Sequence, residues 1–234
     1  CRKFGTHPFS IVARHAFIAM AFVKSLVARG AVDPSTAGRL MTSVHTVAAD
    51  VVGGMHSVSK GTTTMDAFLG FCGHLRPGTY DILSARYDAA PDLYLKGSMA
   101  EPAPVEPFAW TDNAASALQS LLDEHGLEID PGGLLDYISQ SVAGREKIKF
   151  DFTRNISDAL EVLAGWGEGV GLSRDDLSYL DIGVVLNGSE HEPVQLRDIV
   201  AQQREQHMAT LTLRLPEVVT GVDDIGVVRM PLGM

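Results

Sequence analysis

Apolar side chains recur at helical spacing near the start of the chain, and they predict the first element. The recurring positions are Ile11, Ile18, Phe22 and Leu26, and His15 continues the same spacing. Small and branched apolar residues between them widen the same face, as in an amphipathic helix. Pro8 suits a first helical turn, where its missing N–H is not needed, and Gly30 suits a C-cap. The pattern therefore predicts a helix over residues 8–29.

Two further helices are predicted before residue 74. Asp33 followed by Pro34 is a cap-then-proline start, and apolar positions continue at helical spacing to Met55. We therefore expect one helix over 34–55, bent or loosened at Gly53–Gly54. Thr63 or Thr64 then begins a short helix that runs to Phe71 and ends at Gly73.

The segment 89–109 interrupts this pattern. It contains four prolines and few periodic apolar residues, which is typical of an exposed connection. The sequence thus predicts a helical subdomain over 1–88, a Pro-rich connection over 89–109, a second helical subdomain over 110–214, and a tail or linker over 215–234.

The second half also reads as helical. Thr111 or Asp112 caps one helix, and Asp130–Pro131 opens a longer one that we expect to be interrupted near Ala143–Gly144. Ser173 with Asp176 resembles a capping box, with Asp in place of the usual Glu or Gln.

The last helix is expected to follow Glu192–Pro193 and to end near Leu213. The Val-rich run from Val218 to Val228 is expected to form a strand only with a partner. Strand signals are weak elsewhere, so the predicted fold is mostly α, a multi-helix bundle-like architecture.

Composition narrows the function classes. The 234 residues are 45% hydrophobic and 21% charged, which argues against disorder, and the net charge of −10 disfavours nonspecific binding to nucleic acid or an anionic membrane. The net charge does not exclude a local basic patch.

Cys1 and Cys72 do not indicate a disulfide framework, so a reducing cytoplasm is the expected location. No secretory signal is evident, and the apolar run from Ala16 to Val23 is too short to span a bilayer.

Most recurrent catalytic motifs are absent. The sequence has no HExxH, CxxC or GxSxG spacing, so neither a metal site nor a catalytic nucleophile is predicted. The glycines from Gly165 to Gly171 lack the preceding strand and following Lys-Ser/Thr of a phosphate loop, and they read as a helix C-terminus.

Anion binding is the chemistry that the sequence favours. Several cations lie inside apolar or aromatic segments: Arg14, Arg76, Lys147, Lys149 and Arg154. A guanidinium can hold a phosphate or a carboxylate through two parallel hydrogen bonds. The alternatives are ion pairs with some of the 29 acidic residues, or lysine stems lying along the core.

One turn gathers an unusual set of polar groups. The stretch Gly73–Ile82, GHLRPGTYDI, holds an imidazole, a guanidinium, a phenol and a carboxylate around a Pro-Gly pair. Such turns often carry function. The alternative is a polar linker whose Arg and Asp cap neighbouring helices.

This turn and three other stretches together resemble one family, the phosphoenolpyruvate-synthase and pyruvate-phosphate-dikinase-like enzymes with a PEP/pyruvate-binding domain. The other stretches are FGTHPFS with ARHAF at residues 4–17, KFDFTRNIS at 149–157, and LSRDDLSYLDI at 172–182. They occur in the same order over most of the chain.

The resemblance implies a modular enzyme that works through a phosphohistidine. An ATP-grasp domain phosphorylates a histidine on a swivelling domain, which carries the phosphoryl group to an acceptor. This chain resembles only the central helical region, so the expected partners are those two domains and a small anionic or phosphorylated substrate. The chain opens without Met and is expected to be a piece of a longer protein, inactive alone. ATP and Mg are implied for the complete enzyme, and no cofactor, metal or catalytic residue is predicted here.

The candidate anion-binding or domain-docking residues follow from both arguments: Arg14, His74, Arg76, Arg154 and Lys149. His56 follows Gly53–Gly54–Met55, which departs from the family's phosphohistidine context, and is not a candidate. The competing hypothesis is a non-catalytic helical interaction or scaffold module.

Overall fold

The computed structural model describes residues 2–95, 105–187, 191–211, 213–214, 221 and 228–229. The chain is mostly α-helical, as predicted. The helices are α1 (His7–Ala28), α2 (Pro34–Ser43), α3 (Val47–Ser59), α4 (Met65–Cys72), α5 (Pro91–Tyr94), α6 (Asp112–Glu124), α7 (Pro131–Val170), α8 (Arg174–Ser178), α9 (Ile182–Leu186) and α10 (Pro193–Thr210). A π-helical turn, Arg2–Thr6, precedes α1. Two short antiparallel strands, β1 (Leu213–Arg214) and β2 (Val228–Arg229), pair with each other.

Side-chain caps fix several helix starts where the sequence predicts them. The Asp33 carboxylate accepts from the backbone N–H groups of Ser35 and Thr36, at 2.9 and 3.0 Å. Thr64 and Thr111 cap α4 and α6 through their hydroxyls. Ser173 and Asp176 form the reciprocal capping box that opens α8. These starts are local, which is why the sequence alone predicts them.

The predicted single helix over 34–55 is wrong, because the chain breaks between α2 and α3. Val44 and Thr46 are extended, with ψ of 112° and 161°. The two helices pack into different clusters: Leu40 of α2 is buried beside α1, whereas Val47 and Val51 of α3 pack around Phe68. The break lets each segment turn its apolar side toward its own cluster, and Gly53–Gly54 lie inside α3.

The predicted interruption near Ala143–Gly144 is also wrong, since α7 runs unbroken for 40 residues. A Cβ atom at Gly144 would lie 3.5 Å from Val12 Cγ1 of α1. The glycine is therefore in a helix–helix contact rather than at a helix end.

Two smaller details also differ from the prediction. Helix α5 is a short helix inside the predicted Pro-rich connection. Near the end of the chain, helix α10 ends at Thr210, three residues before the predicted end. Most of the Val-rich run falls outside the described residues. Its last residue, Val228, pairs with Arg214.

Contacts divide the chain into two compact units, residues 1–79 with 85–158, and residues 80–84 with 159–234. In the first unit, α1 and α2 share one core with α6 and α7. Its most buried members include Ala19, Leu40, Leu118, Leu134 and Ile138. Because helices from both sides of segment 89–109 fill this core, the division between the units does not coincide with the predicted Pro-rich connection.

The second unit has its own core around Leu196, which is fully buried. The other buried members are Ile82, Leu172, Leu177 and Val200. Helix α7 belongs to both units, with residues 131–158 in the first and 159–170 in the second.

The first helix is longer and more apolar than the run from Ala16 to Val23 suggests. Together, the π-helical turn and α1 span Arg2–Ala28, and the most apolar window of 18 residues has a mean hydropathy of 1.6. By length and composition this helix could cross a membrane, a test that core helices of soluble proteins also pass. Only 28% of that window is buried in the fold.

Candidate functional site

The GHLRPGTYDI turn begins against one face of α7. Phe150, Arg154 and Ser157 follow one another at spacings of four and three, so they lie on the same side of the helix. Ser157 Oγ donates to the carbonyl oxygen of His74 at 2.7 Å, and Arg154 Nη2 donates to that of Phe71 at 2.6 Å. Side chains of α7 thus hold the backbone of the turn at His74, through Ser157, and the end of α4 at Phe71 just before the turn, through Arg154.

Arg76 returns hydrogen bonds from the turn to α7. Its Nε and Nη2 atoms donate to Ser157 Oγ at 3.2 and 3.0 Å, and Nη2 also donates to the Ser157 carbonyl oxygen at 3.2 Å. The residue is only 5% exposed. Burying a guanidinium raises the free energy of the folded state unless its N–H groups are hydrogen-bonded, so the bonds to Ser157 are required for Arg76 to be buried here. This candidate lies inside the turn–α7 contact.

His74 is the most buried of the candidates, at 1% exposure. Its Nε2 atom donates to the Phe150 carbonyl oxygen at 3.1 Å, and its ring meets the Phe150 ring edge-on at 4.7 Å. Burial, and next the positive charge of Arg154, lower the pKa of His74. Since Nε2 carries the proton, Nδ1 holds the lone pair, and Nδ1 is buried without a hydrogen-bond partner among the described residues. A neutral, packed imidazole is what this environment favours.

The residues after the turn fold back onto its beginning. Tyr87 N donates to the Leu75 carbonyl oxygen at 2.8 Å, and Asp88 N to that of Gly73 at 3.1 Å. A Cβ atom at Gly73 would lie 2.8 Å from Asp88 Cβ, closer than such atoms approach. Gly73 is therefore required by the close approach of the two segments.

Arg86 ties this arrangement to α7 with two ion pairs. Its guanidinium reaches Asp88 and Asp158, each at 2.6 Å, and its side chain is 15% exposed. The paired carboxylates, with hydrogen bonds from the guanidinium, raise the pKa of Arg86. Sequence reasoning missed Arg86 and Ser157. The signals were present: Ser157 lies three residues after Arg154 in a family-like stretch, and Arg86 lies two residues before Asp88.

A cavity of about 190 Å³ lies beside the turn, where α3, the turn and α7 meet. Its apolar wall comes mainly from Val47, Ala48, Val51, Leu75 and Phe150. Its polar lining comes from Thr79, Glu146, Lys149 and Thr153.

The polar groups of this cavity differ in what they can offer a ligand. Lys149 is exposed, and its ammonium group has no hydrogen bond or ion pair among the described residues. Thr153 Oγ1 already donates to the Lys149 carbonyl oxygen at 2.7 Å, and Glu146 accepts from Arg145. Lys149, with the half-buried Thr79 hydroxyl, is therefore the positive, hydrogen-bonding side of the cavity.

Arg14 and Lys147 are elsewhere. Arg14 is on the exposed face of α1, without an ion pair in the described part of the chain, and it does not line this cavity. Lys147 pairs with Asp151 at 2.6 Å, one turn along α7. The structure thus brings His74, Arg76 and Arg154 together at the turn–α7 contact, places Lys149 at the neighbouring cavity, and leaves Arg14 apart.

The family-like stretches contact one another. In the first unit, the Phe9 ring lies 5.4 Å from the Phe152 ring, so the stretch at residues 4–17 packs on the stretch at residues 149–157. In the second unit, Arg174 Nη1 donates to the carbonyl oxygen of Ile82, the last residue of the turn, at 3.2 Å. Arg174 also pairs with Glu161 at 2.6 Å.

A larger cavity in the second unit, about 540 Å³, is also lined by cations. Arg204 there donates to both Asp175 and Asp176 and stacks over the Tyr179 ring at 4.7 Å. Those two carboxylates already neutralise its guanidinium, and the rest of the charged lining is Arg197 and Glu205.

The described residues contain no group of three or more His, Cys, Asp or Glu side chains placed to hold a metal ion. No protein-family model, curated protein or solved structure matches the chain.

Proposed function

We propose that the chain is the central helical, acceptor-binding or domain-linking portion of an ATP-dependent, phosphoenolpyruvate-synthase-like phosphotransferase. The resemblance of four ordered stretches suggests this family. The observation that carries the proposal is the cavity of about 190 Å³ beside the turn, with the Lys149 ammonium at its edge. Ligand sites are usually concave and largely apolar with a few polar groups, and the volume of this cavity limits the ligand to a small one.

The residues divide into two roles in this proposal. Lys149 and Thr79 bind the anionic group of the acceptor or product. His74, Arg76 and Arg154 hold the turn on α7 and so set the position of Thr79. Phosphoryl transfer depends on positioning and charge neutralisation, so a domain with no nucleophile of its own can still take part. ATP, Mg and the phosphohistidine belong to the partner domains.

A non-catalytic scaffold is the second candidate, and a specific observation favours it. His74 and Arg76 are 1% and 5% exposed and are bonded to α7. Two of the most polar residues of the turn thus have structural partners, as expected if the family-like stretches serve packing alone.

Thermal unfolding with small anions separates these candidates. The midpoint would be measured with inorganic phosphate, phosphoenolpyruvate, pyruvate and ATP, for the unsubstituted chain and for Lys149→Ala. Lys147→Ala is the matched control, because Lys147 lies two residues away on α7 but is paired with Asp151. A ligand at about a hundredfold excess over its Kd stabilises the folded state by about 2.7 kcal/mol.

We expect phosphate or phosphoenolpyruvate to raise the midpoint in the unsubstituted chain and in Lys147→Ala, but not in Lys149→Ala. Equal shifts in both lysine variants would place the anion elsewhere and contradict the assignment of Lys149. No shift with any of the four compounds would favour the scaffold.

A further inference from the structure

The π-helical turn and helix α1 together expose an apolar ridge on the side that faces away from the fold. The outer ridge consists of Phe4, Ile11, Phe17 and Ile18, which are 83%, 49%, 65% and 41% exposed. The buried positions of the same helix are Ala13, Ala16, Ala19, Val23 and Leu26. The helix is therefore apolar on both sides, a pattern typical of helices that are covered all round.

The members of the ridge recur along the helix at a regular spacing. Ile11 and Ile18 are seven residues apart on α1, close to two helical turns, so they follow one line along the surface, and Phe4 precedes Ile11 by seven residues in the π-helical turn. Arg14 lies between Ile11 and Ile18 on that line, one turn from each. Its guanidinium has no ion pair in the described part of the chain. The ridge is an apolar stripe with Arg14 and the exposed His15 in its middle.

The segment that carries the ridge has charged side chains of a single sign. All 29 Asp and Glu residues of the chain lie after Val32, whereas five cations precede it: Arg2, Lys3, Arg14, Lys24 and Arg29. The whole chain nevertheless has a net charge of −10. At the start of the ridge, a cavity of about 480 Å³ is lined by Arg2, Lys3, Phe4 and His7. Electrostatic complementarity therefore calls for an occupant that is apolar and acidic.

Two other occupants fit these observations less well. A second copy packed ridge to ridge would face cation with cation, at a cost in free energy. An anionic bilayer would take up cations at the flanks of an interfacial helix, but Arg14 is in the middle of the apolar stripe, where the acyl chains would be. A protein surface can supply a carboxylate at that one point.

We infer that the outer ridge is a docking surface for another protein domain, one with an apolar groove flanked by Asp or Glu side chains. The inference rests on the proposed function, because a neighbouring domain of the same polypeptide is the occupant. Phe4, Ile11, Phe17 and Ile18 pack into the groove, and Arg14 pairs with a carboxylate of that domain.

The test is thiol accessibility on the ridge. Ile11→Cys and Ile18→Cys would each be made in the 234-residue chain and in the complete natural polypeptide that contains it, both with Cys1→Ser, and labelled with a maleimide. Cys72 stays unreactive, because it is fully buried and burial raises the pKa of its thiol to about 11. Val162→Cys, at a residue that is 74% exposed on α7, is the control site.

We expect residues 11 and 18 to label about tenfold more slowly, or slower still, in the complete polypeptide than in the 234-residue chain, with Val162→Cys unchanged. Arg14→Glu should restore fast labelling, whereas Arg14→Lys should not, if the partner is acidic. Equal rates in the two proteins, or equal protection at residue 162, would overturn the inference. The same holds if both Arg14 variants leave the protection intact.

Protection for another reason would also overturn it. Labelling of the 234-residue chain that slows as its own concentration rises would identify a second copy as the occupant. Slowing only on vesicles of phosphatidylcholine with phosphatidylglycerol would identify a membrane. Phosphoryl transfer by the complete polypeptide is assayed separately: protection without transfer removes the proposed function alone, and transfer without protection removes the docking surface alone.

Discussion

The hydroxyl of Ser157 makes three of the hydrogen bonds that join the turn to α7. It donates to the His74 carbonyl oxygen and accepts from two N–H groups of Arg76, and Ser157 is 2% exposed. One buried oxygen atom thus serves the backbone of the turn and its most buried cation.

Ser157→Ala should therefore destabilise the chain by about 1–3 kcal/mol, because buried polar partners lose a hydrogen bond without access to water. The measurement is the midpoint of urea unfolding. Ser120→Ala is the control, since Ser120 is exposed and its hydroxyl bonds only to the Ser116 carbonyl oxygen one turn earlier on α6. Equal small effects in both variants would show that the turn does not depend on this hydroxyl.

His74 predicts how stability depends on pH. Burial lowers its pKa in the folded state below the ordinary value of 6.5, so the unfolded chain binds the proton more readily. The contribution of the neutral His74 to the free energy of unfolding is therefore present in full above about pH 6.5 and is lost as the pH falls below that value. Urea unfolding at pH 7.5 and 5.5 should show a smaller pH effect in His74→Gln than in the unsubstituted chain.

The exposed His125 provides the comparison for this prediction. His125→Gln makes the same substitution at an imidazole that is open to solvent, and the pH effect is measured in both variants. A pH effect that persists in full in His74→Gln would mean that another group is responsible for it.

At the scale of the helix, α7 shows that glycines in one element can have opposite roles. A Cβ atom at Gly165 would meet nothing within 4 Å, whereas one at Gly167 would lie 2.6 Å from Leu177 Cδ1 and 3.2 Å from the Leu172 carbonyl oxygen. Both positions are helical and two residues apart.

Gly165→Ala should accordingly stabilise the chain by about 0.5–1 kcal/mol, through the lower conformational entropy of the unfolded state. Gly167→Ala should destabilise it by about 1–3 kcal/mol, because the added methyl group forces Leu177 or the backbone to move. Chemical denaturation of the pair measures both. The same sign for both substitutions would refute the packing account.

The helix starts were predictable from sequence because each depends on neighbours within three or four residues, as at Asp33, Thr64 and Ser173. The continuity of α7 was not, since Gly144 is a helix breaker by propensity and a packing residue by its contact with Val12. The same limit applies to the site. The sequence identified the turn, but the burial of His74 and Arg76 depends on Phe150 and Ser157, more than seventy positions away.

At the scale of the molecule, the hydrophobic cores show which helices must be present together for their apolar side chains to be buried. Leu40 of α2 and Leu118 of α6 are 1% and 0% exposed in the same cluster, although segment 89–109 separates them in sequence. Helix α7 adds Leu134 and Ile138. The first four helices therefore leave apolar surface open unless α6 and α7 are present.

A fragment of residues 1–95 tests this directly, because it keeps α1 to α5 and lacks the later helices that bury Leu40. We expect it to have little helical circular dichroism and no cooperative unfolding transition, since isolated short helices are marginal in water. In the whole chain, Leu118→Ala should lower the free energy of unfolding by about 2–5 kcal/mol. Leu93→Ala, at a residue that is 70% exposed, should change it little. A fragment that unfolds cooperatively would instead mean that residues 1–95 form an independent domain, and α6 and α7 would then only cover a core that is already complete.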